Sequence, residues 1–328
     1  MKVKKGEDVL VCGDSANDEA VLKATAAAAY AAGATPTIVV TETRERAFAE
    51  PPKPLAAAMM DADVLIEFTT KAILYTKAQV NALKRNRAYI CLTSLDSEAM
   101  VRTLGWVNYP KMVELGERLA ELTTKAKEFR VTSPSGTDFT GKIGGRKWEN
   151  YGGTAEKRQI IMLGGQTGGT CLEETENGVL AFDGNIWPPD EIKSNIRTPI
   201  KFKVEKGVIK EITGGTEAEM LKKYLAGFND PNMYRLAHFC YGYHPNARQT
   251  ADISEVERVW GCFQVGFGRQ GPLLRPDLGG GFGWDAASHD DGIILKASIY
   301  LDGEPVQQNG KFVHPELVKI LKEWGIEQ

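Results

Sequence analysis

Histidine is scarce in this chain of 328 residues: His238, His244, His289 and His314 are all there is, and every one falls in the last third. Any imidazole-based site must therefore draw on these four. Cysteine is little more frequent. Cys12, Cys91, Cys171, Cys240 and Cys262 are odd in number and widely scattered, with no Cys-x-x-Cys pair. That excludes a disulfide framework and a structural zinc knot, and leaves reduced thiols in a cytoplasmic protein as the expectation. No excess of positive charge exists either. Forty Lys and Arg stand against 43 Asp and Glu, a formal net charge of −3, so binding to nucleic acid or an anionic membrane surface is not expected. Long apolar runs are also missing: the alanine-rich stretch 24–32 falls far short of the ~20 residues of a membrane helix. The apolar stretch 9–14 behind the lysine-rich start is too short for a signal peptide.

Glycine is rare in one half only. Residues 1–130 hold five of the 34 glycines, so the rest of the chain should be rich in turns, bulges and short strands. With 42% hydrophobic and 25% charged residues the composition is globular, and the length suits two domains of ~150 residues. In the first half, short continuous apolar runs at 8–12, 37–41, 63–68 and 88–93 alternate with amphipathic segments at 18–32, 53–60, 76–84 and 110–127. That pattern predicts a parallel sheet covered by helices on both faces, leading into a strand at 129–133. The second half predicts strands at 178–183, 200–205, 208–213 and 293–301, with helices at 217–227, 254–260 and 316–324. The expected architecture is an α/β, Rossmann-like domain over 1–132, followed by a β-rich α+β metal-binding domain over 133–328. Gly13-Asp14-Ser15 lies at the first strand-to-helix turn, where ligands bind in such sheets. It lacks the Gly-x-Gly-x-x-Gly spacing, and Ser15 or Asn17 would serve equally as a helix cap.

The sharpest chemical signal is Ser288-His289-Asp290-Asp291-Gly292, entering a strand behind the glycine-rich 279–283 segment, a candidate hinge. Side chains two apart on a strand share a face, so His289 and Asp291 project together. An imidazole and a carboxylate make two-thirds of the facial triad that leaves positions open on non-haem Fe(II), and His238 or His244 must complete it.

Several segments occur in a telling order: Thr132-Ser133-Pro134-Ser135-Gly136-Thr137-Asp138-Phe139, Gly215-Thr216-Glu217-Ala218-Glu219, Phe228-Asn229-Asp230-Pro231, Ala237-His238-Phe239-Cys240-Tyr241-Gly242, Ser288-His289-Asp290-Asp291 and Ser298-Ile299-Tyr300-Leu301-Asp302. In this the chain resembles the 2,5-dihydroxypyridine 5,6-dioxygenases. Their superfamily also holds the M29, thermophilic-type metallo-aminopeptidases. The resemblance covers most of the second half and only loosely the first. It implies Fe(II) held by His238, His289 and Asp291, a small aromatic substrate, dioxygen as co-substrate and a homo-oligomer. His244 is then left as an acid/base group near the metal, with Tyr241 as a second proton relay and Ser135 at the domain junction as a cleft residue. His314, ahead of Pro315, reads as a cap.

The remaining polar and aromatic residues have two readings each. Thr137 and Asp138 share the junction with Ser135, where a simple turn is the alternative. Arg146 and Lys147 read as a carboxylate clamp or a solvated loop. Glu217 and Glu219 suit the first turn of a helix, and Tyr243 and Trp260 suit core or cleft walls. Two departures separate the chain from its likenesses. No histidine precedes residue 238, where the pyridine dioxygenases use earlier ones for substrate protons. Gln166 and Gln264 stand where the aminopeptidases carry a metal-bridging glutamate and a later histidine, which argues for one metal. A metal-dependent hydrolase and a non-catalytic ligand-binding relative are the rival readings.

Overall fold

The computed structural model describes residues 2–85, 87–151, 160–193, 196–270 and 284–328. Two compact units emerge. The first comprises Met1–Val107, Tyr151–Leu163 and Asp252–Glu255, and the second Asn108–Asn150, Gly164–Ala251 and Val256–Gln328. The boundary expected at 132 is therefore displaced: the helix Tyr109–Lys125 belongs to the second unit. The cause is local packing. Gly116 on that helix leaves room for the Tyr243 hydroxyl, and its carbonyl accepts a 3.0 Å bond from Thr167 Oγ1, both partners lying in the second unit.

The first unit is the parallel α/β domain that the apolar runs predict. Its five-stranded sheet runs Thr35–Thr41, Asp8–Asp14, Val64–Glu67, Ala88–Cys91, Ile160–Met162, every pair parallel. The strand Val64–Glu67 is buried throughout, as a central strand covered on both faces must be. Val9, Val11, Val64 and Ile66 pack with Val21, Leu22 and Ala26 of the helix Glu19–Ala31. Asp18 caps that helix by accepting the amide of Ala20, a role expected of Ser15 or Asn17. Those two are engaged elsewhere, Ser15 with Glu42 and Thr43, Asn17 with the Phe68 carbonyl and the Asp14 amide. Asp14 accepts from Thr70 through both its amide and its hydroxyl, so the turn's own groups satisfy one another.

The second unit holds two antiparallel sheets. The larger has eight strands in the order Val208–Thr213, Ile200–Glu205, Asn177–Phe182, Asp138–Lys142, Glu128–Thr132, Ser298–Leu301, Glu304–Gln308, Lys311–Phe312. The smaller has six: Ile186–Trp187, His289–Ile294, Phe263–Gly268, Leu236–Gly242, Gln166–Gly169, Glu149–Asn150. Aromatic rings join them. Phe129 and Phe139 of the larger sheet lie 6.1 and 5.4 Å from Phe239 of the smaller, and Phe202 lies 5.2 Å from Phe267. Such pairs contribute ~0.5–1.5 kcal/mol each beyond the area they bury.

Two expectations need correction. The segment 293–301 is two strands, His289–Ile294 and Ser298–Leu301, in different sheets, because Lys296 adopts a left-handed conformation (φ 48°) that ends the first. The helix expected over 254–260 shrinks to Ile253–Val256. The segment 279–283, expected as a hinge, lies outside the described residues. No helix among the described residues is long and apolar enough to cross a membrane.

Candidate metal centre

Because Phe239, Phe263 and Phe267 of the six-stranded sheet turn toward the aromatic core, their neighbours His238, Gln264 and Gly266 turn the other way. Strand register makes that second face a site. His238 lies opposite Gly266, and Gly266 lies opposite Asp291. His289, two residues before Asp291, shares its face.

Two backbone features bring the side chains together. The first is a one-residue bulge: Leu236 pairs with Phe267, yet His238, two residues on, pairs with Gly266. Without the extra residue His238 would face Val265 and the aromatic core; the bulge turns it to the side of Asp291. The second is Gly266 itself. A Cβ built there would lie 3.0 Å from His238 Nε2 and closer still to Nδ1 and Cε1. Only a glycine lets the imidazole lie across the intervening strand.

The result is compact. Ligand atoms of His238, His289 and Asp291 lie within 4.8 Å of one another, and all three residues are buried. His238 Nε2 is 3.4 Å from Asp291 Oδ1, His289 Nε2 is 3.1 Å from Asp291 Oδ2, and the two rings stack at 5.1 Å. His289 Nδ1 meets the Arg269 carbonyl, so the proton sits on Nδ1 and Nε2 is left to bind. Burial alone would lower the His289 pKa, but the Asp291 charge and hydrogen bond raise it overall. Burial would likewise raise the Asp291 pKa, but His289, His238 and Gln264 hold the carboxyl below its usual range. Two imidazoles and one ionised carboxylate fit a divalent transition-metal ion and leave coordination positions for further ligands.

Neighbouring candidates are set apart from this group. Asp290 points to the core face, where burial pushes its carboxyl well above the usual range. Cys240 is held as a thiol, first by burial and then by the charges of Glu257 and Asp291. Among the described residues, no other His, Cys, Asp or Glu group gathers in this way.

The proposed catalytic residues are not brought to the cluster. His244 lies beyond the end of Leu236–Gly242, and at ~3.3 Å per residue the strand alone carries the chain ~13 Å from His238. It is fully buried, its amide on the Arg258 carbonyl and its Nδ1 accepting from Asn246. Tyr241 faces the core between Trp148 and Phe263, its hydroxyl 3.0 Å from Thr123 Oγ1, and burial pushes its pKa well up. Ser135 occupies the tight turn between Glu128–Thr132 and Asp138–Lys142, where its hydroxyl donates to the Ala181 carbonyl. The turn reading also fits Thr137, which accepts the Ala181 amide, and Asp138, which pairs with Arg130. Arg146 is engaged by Glu173 through two bonds and by Thr170. Glu217 and Glu219 open the helix Thr216–Gly227, Tyr243 is core, Trp260 packs edge-on to Phe312, and His314 caps the last helix.

Gln264 and Gln166, read from the sequence only as absent ligands, are part of the site's surroundings. Gln264 Nε2 donates to Asp291 Oδ1 at 2.7 Å, and Gln166 Nε2 donates to Gln264 Oε1.

Known proteins share both sequence and fold with this chain. The NicX family profile, 2,5-dihydroxypyridine 5,6-dioxygenase, matches residues 1–314. The chain is 28% identical over 271 residues to the 2,5-dihydroxypyridine 5,6-dioxygenase of Pseudomonas putida, covering 79% of this chain and 73% of that protein. Two solved structures share the fold. The 2,5-dihydroxypyridine dioxygenase of Pseudomonas putida superposes with a TM-score of 0.77 at 23% identity, covering 96% of this chain and 94% of that one. Wild-type AmpT from Thermus thermophilus gives 0.68 at 17% identity, with 95% of both chains covered. The resemblance drawn from the sequence is borne out, and the chain belongs to the 2,5-dihydroxypyridine 5,6-dioxygenase (NicX) family.

Proposed function

We propose that the protein is a mononuclear non-haem Fe(II) dioxygenase of the extradiol type that opens the ring of a small hydroxylated aromatic or N-heteroaromatic compound. The observation that supports this most is the buried group of two imidazoles and one carboxylate on one face of a sheet, in a chain of this family. A divalent iron bound there supplies the dioxygen chemistry that amino-acid side chains lack.

The protein's own part is to bind, orient and keep dry. The Arg269 carbonyl fixes the His289 ring and its tautomer, and the bulge with Gly266 aims His238. The Asp291 carboxylate would offset one charge of a divalent ion held there, and the remaining positive charge would favour the ionised form of a ring hydroxyl. Burial of all three side chains keeps bulk water from competing for them and strengthens every charge interaction among them. We place the protein in the cytoplasm, in keeping with its five buried free cysteines, as a homo-oligomer that light scattering would count.

The test is anaerobic purification, metal analysis and Fe(II) reconstitution, followed by oxygen uptake and loss of ring absorbance with a panel of hydroxylated pyridines and aromatic diols. His238→Ala, His289→Ala and Asp291→Ala should each abolish iron binding and oxygen uptake together. Oxygen-independent hydrolysis under nitrogen with zinc, manganese or cobalt would instead make the protein a hydrolase. Full iron retention by any of the three variants would break the ligand assignment.

A further inference from the structure

Behind Asp291 runs a line of buried polar side chains that the proposed reaction does not use. Arg258 pairs through Nη1 with Glu257 and donates through Nη2 to Gln166 Oε1 at 2.9 Å. Gln166 Nε2 donates to Gln264 Oε1, and Gln264 Nε2 donates to Asp291 Oδ1 at 2.7 Å. All five side chains are buried in the second unit: Arg258 is 1% exposed, Gln166 and Gln264 2%, Asp291 5% and Glu257 7%. The line crosses the sheet from Gln166–Gly169, over Leu236–Gly242, through Phe263–Gly268 to His289–Ile294.

The chemistry of its two ends dictates its direction. A guanidinium offers only donors and an ionised carboxylate only acceptors. Each carboxamide between them must turn its oxygen toward Arg258 and its NH2 toward Asp291; any flip would set two donors or two acceptors against each other. The hydrogen bonds follow this single arrangement, and burial makes a reversal costly, because it would leave polar atoms unpaired where water cannot reach.

We propose that Gln264, oriented by Gln166 and Arg258, is the positioning residue of the metal centre. Its amide holds Oδ1 of Asp291, the oxygen 3.4 Å from His238 Nε2, which sets the carboxylate plane and would leave Oδ2, beside His289 Nε2, without a competing donor amide. The carboxylate is thereby held in one orientation between the two imidazoles. Gln166 touches neither the ligands nor the ion and acts only through Gln264. This inference rests on the reading of His238, His289 and Asp291 as a metal site.

The experiment is an anaerobic titration of the metal-free protein with Co(II), recording affinity and the visible d–d spectrum, on wild type, Gln264→Leu, Gln166→Leu and the double variant. Removing a hydrogen-bond partner of a ligand weakens metal binding by about 10–100-fold. Gln264→Leu should fall in that range and change the spectrum. Gln166→Leu should weaken binding about 3–10-fold, since Gln264 keeps its bond to Asp291 but loses its orienting donor. The double variant should bind no worse than Gln264→Leu. Thermal unfolding of the metal-free proteins identifies a variant that fails to fold. In that case Gln264→Met takes the place of Gln264→Leu, and the Gln166→Leu spectrum still reports the ligand geometry. Affinity within twofold of wild type and an unchanged spectrum in Gln264→Leu would overturn the proposal, as would additive losses in the double variant. A wild type that binds no Co(II) would overturn the metal centre itself, a separate failure.

Discussion

Gly266→Ala isolates the contribution of one missing methyl group. The added Cβ would lie 3.0 Å from His238 Nε2 and closer still to Nδ1 and Cε1, whereas carbon atoms in contact rest ~3.5–4.0 Å apart. Backbone on both sides is held by ladder bonds to Leu236–Gly242 and His289–Ile294, so the ring must give way, by about an ångström. Metal–ligand bonds tolerate only ~0.2 Å. A shift of that size removes His238 from the coordination sphere, and its expected cost exceeds the ~100-fold loss of a disturbed outer partner, or about 3 kcal/mol of binding energy. The metal-free fold should suffer less, ~1–3 kcal/mol of overpacking, because the ring is free to swing aside. Anaerobic metal titration measures the first quantity and thermal unfolding in chelator the second. In a His238→Ala background the added methyl enters space that the imidazole has vacated, so Gly266→Ala should then cost almost no stability. Wild-type metal affinity in Gly266→Ala would refute the reasoning, because the imidazole would then not lie across Gly266.

Three further outcomes follow from the placement of other groups. His244→Ala should keep metal affinity within about twofold of wild type, since it lies past the end of the strand, which has already carried the chain ~13 Å from His238, and is not among the clustered ligand atoms; metal analysis decides. Tyr241→Phe should leave oxygen uptake unchanged and lower stability by about 1 kcal/mol, the worth of one buried hydrogen bond, here that to Thr123, seen as a melting-point drop of ~2–4 °C. Glu176 is fully buried, and burial, then the charge of Glu173, raise its pKa well above the usual 4.5. As pH rises through 4.5 the unfolded chain loses this proton while the folded one keeps it, so stability falls until the raised folded value is passed. Glu176→Gln removes that slope: its melting point should equal wild type near pH 4 and exceed it increasingly toward pH 8. Parallel curves for the two proteins would contradict the assignment.

The parallel sheet was legible in the sequence because its central strands Asp8–Asp14 and Val64–Glu67 are buried on both faces and read as continuous apolar runs, and amphipathic helices alternate with the strands. The pair His289 and Asp291 was legible for an equally local reason, the period-two alternation of a strand. The strands that carry the remainder of the site were not. Gln166–Gly169 is short and glycine-rich and Leu236–Gly242 is buried on both faces, so neither shows an alternation. In Phe263–Gly268 the alternation of Phe263, Val265 and Phe267 is interrupted by glycines that disfavour a strand reading. The single strand expected at 293–301 failed for lack of a turn residue: Lys296 takes a left-handed conformation usually left to glycine or asparagine.

Composition and spacing by themselves determined that any site must draw on a handful of histidines, that His289 and Asp291 share a face, and that the chain divides into an α/β half and a β-rich half. Residue order, read as a family likeness, singled out His238 over His244. Only the tertiary structure decided how His238 reaches its partners, and which polar groups stand behind them. The reason is physical: a side chain's face depends on register with its neighbours, and here a one-residue bulge reverses it. The reach of an imidazole across a strand depends likewise on a glycine 28 positions further along the chain. The amide line from Arg258 to Asp291 joins residues from three separate stretches of sequence, and nothing short of the folded sheet places them in sequence along one line of donors.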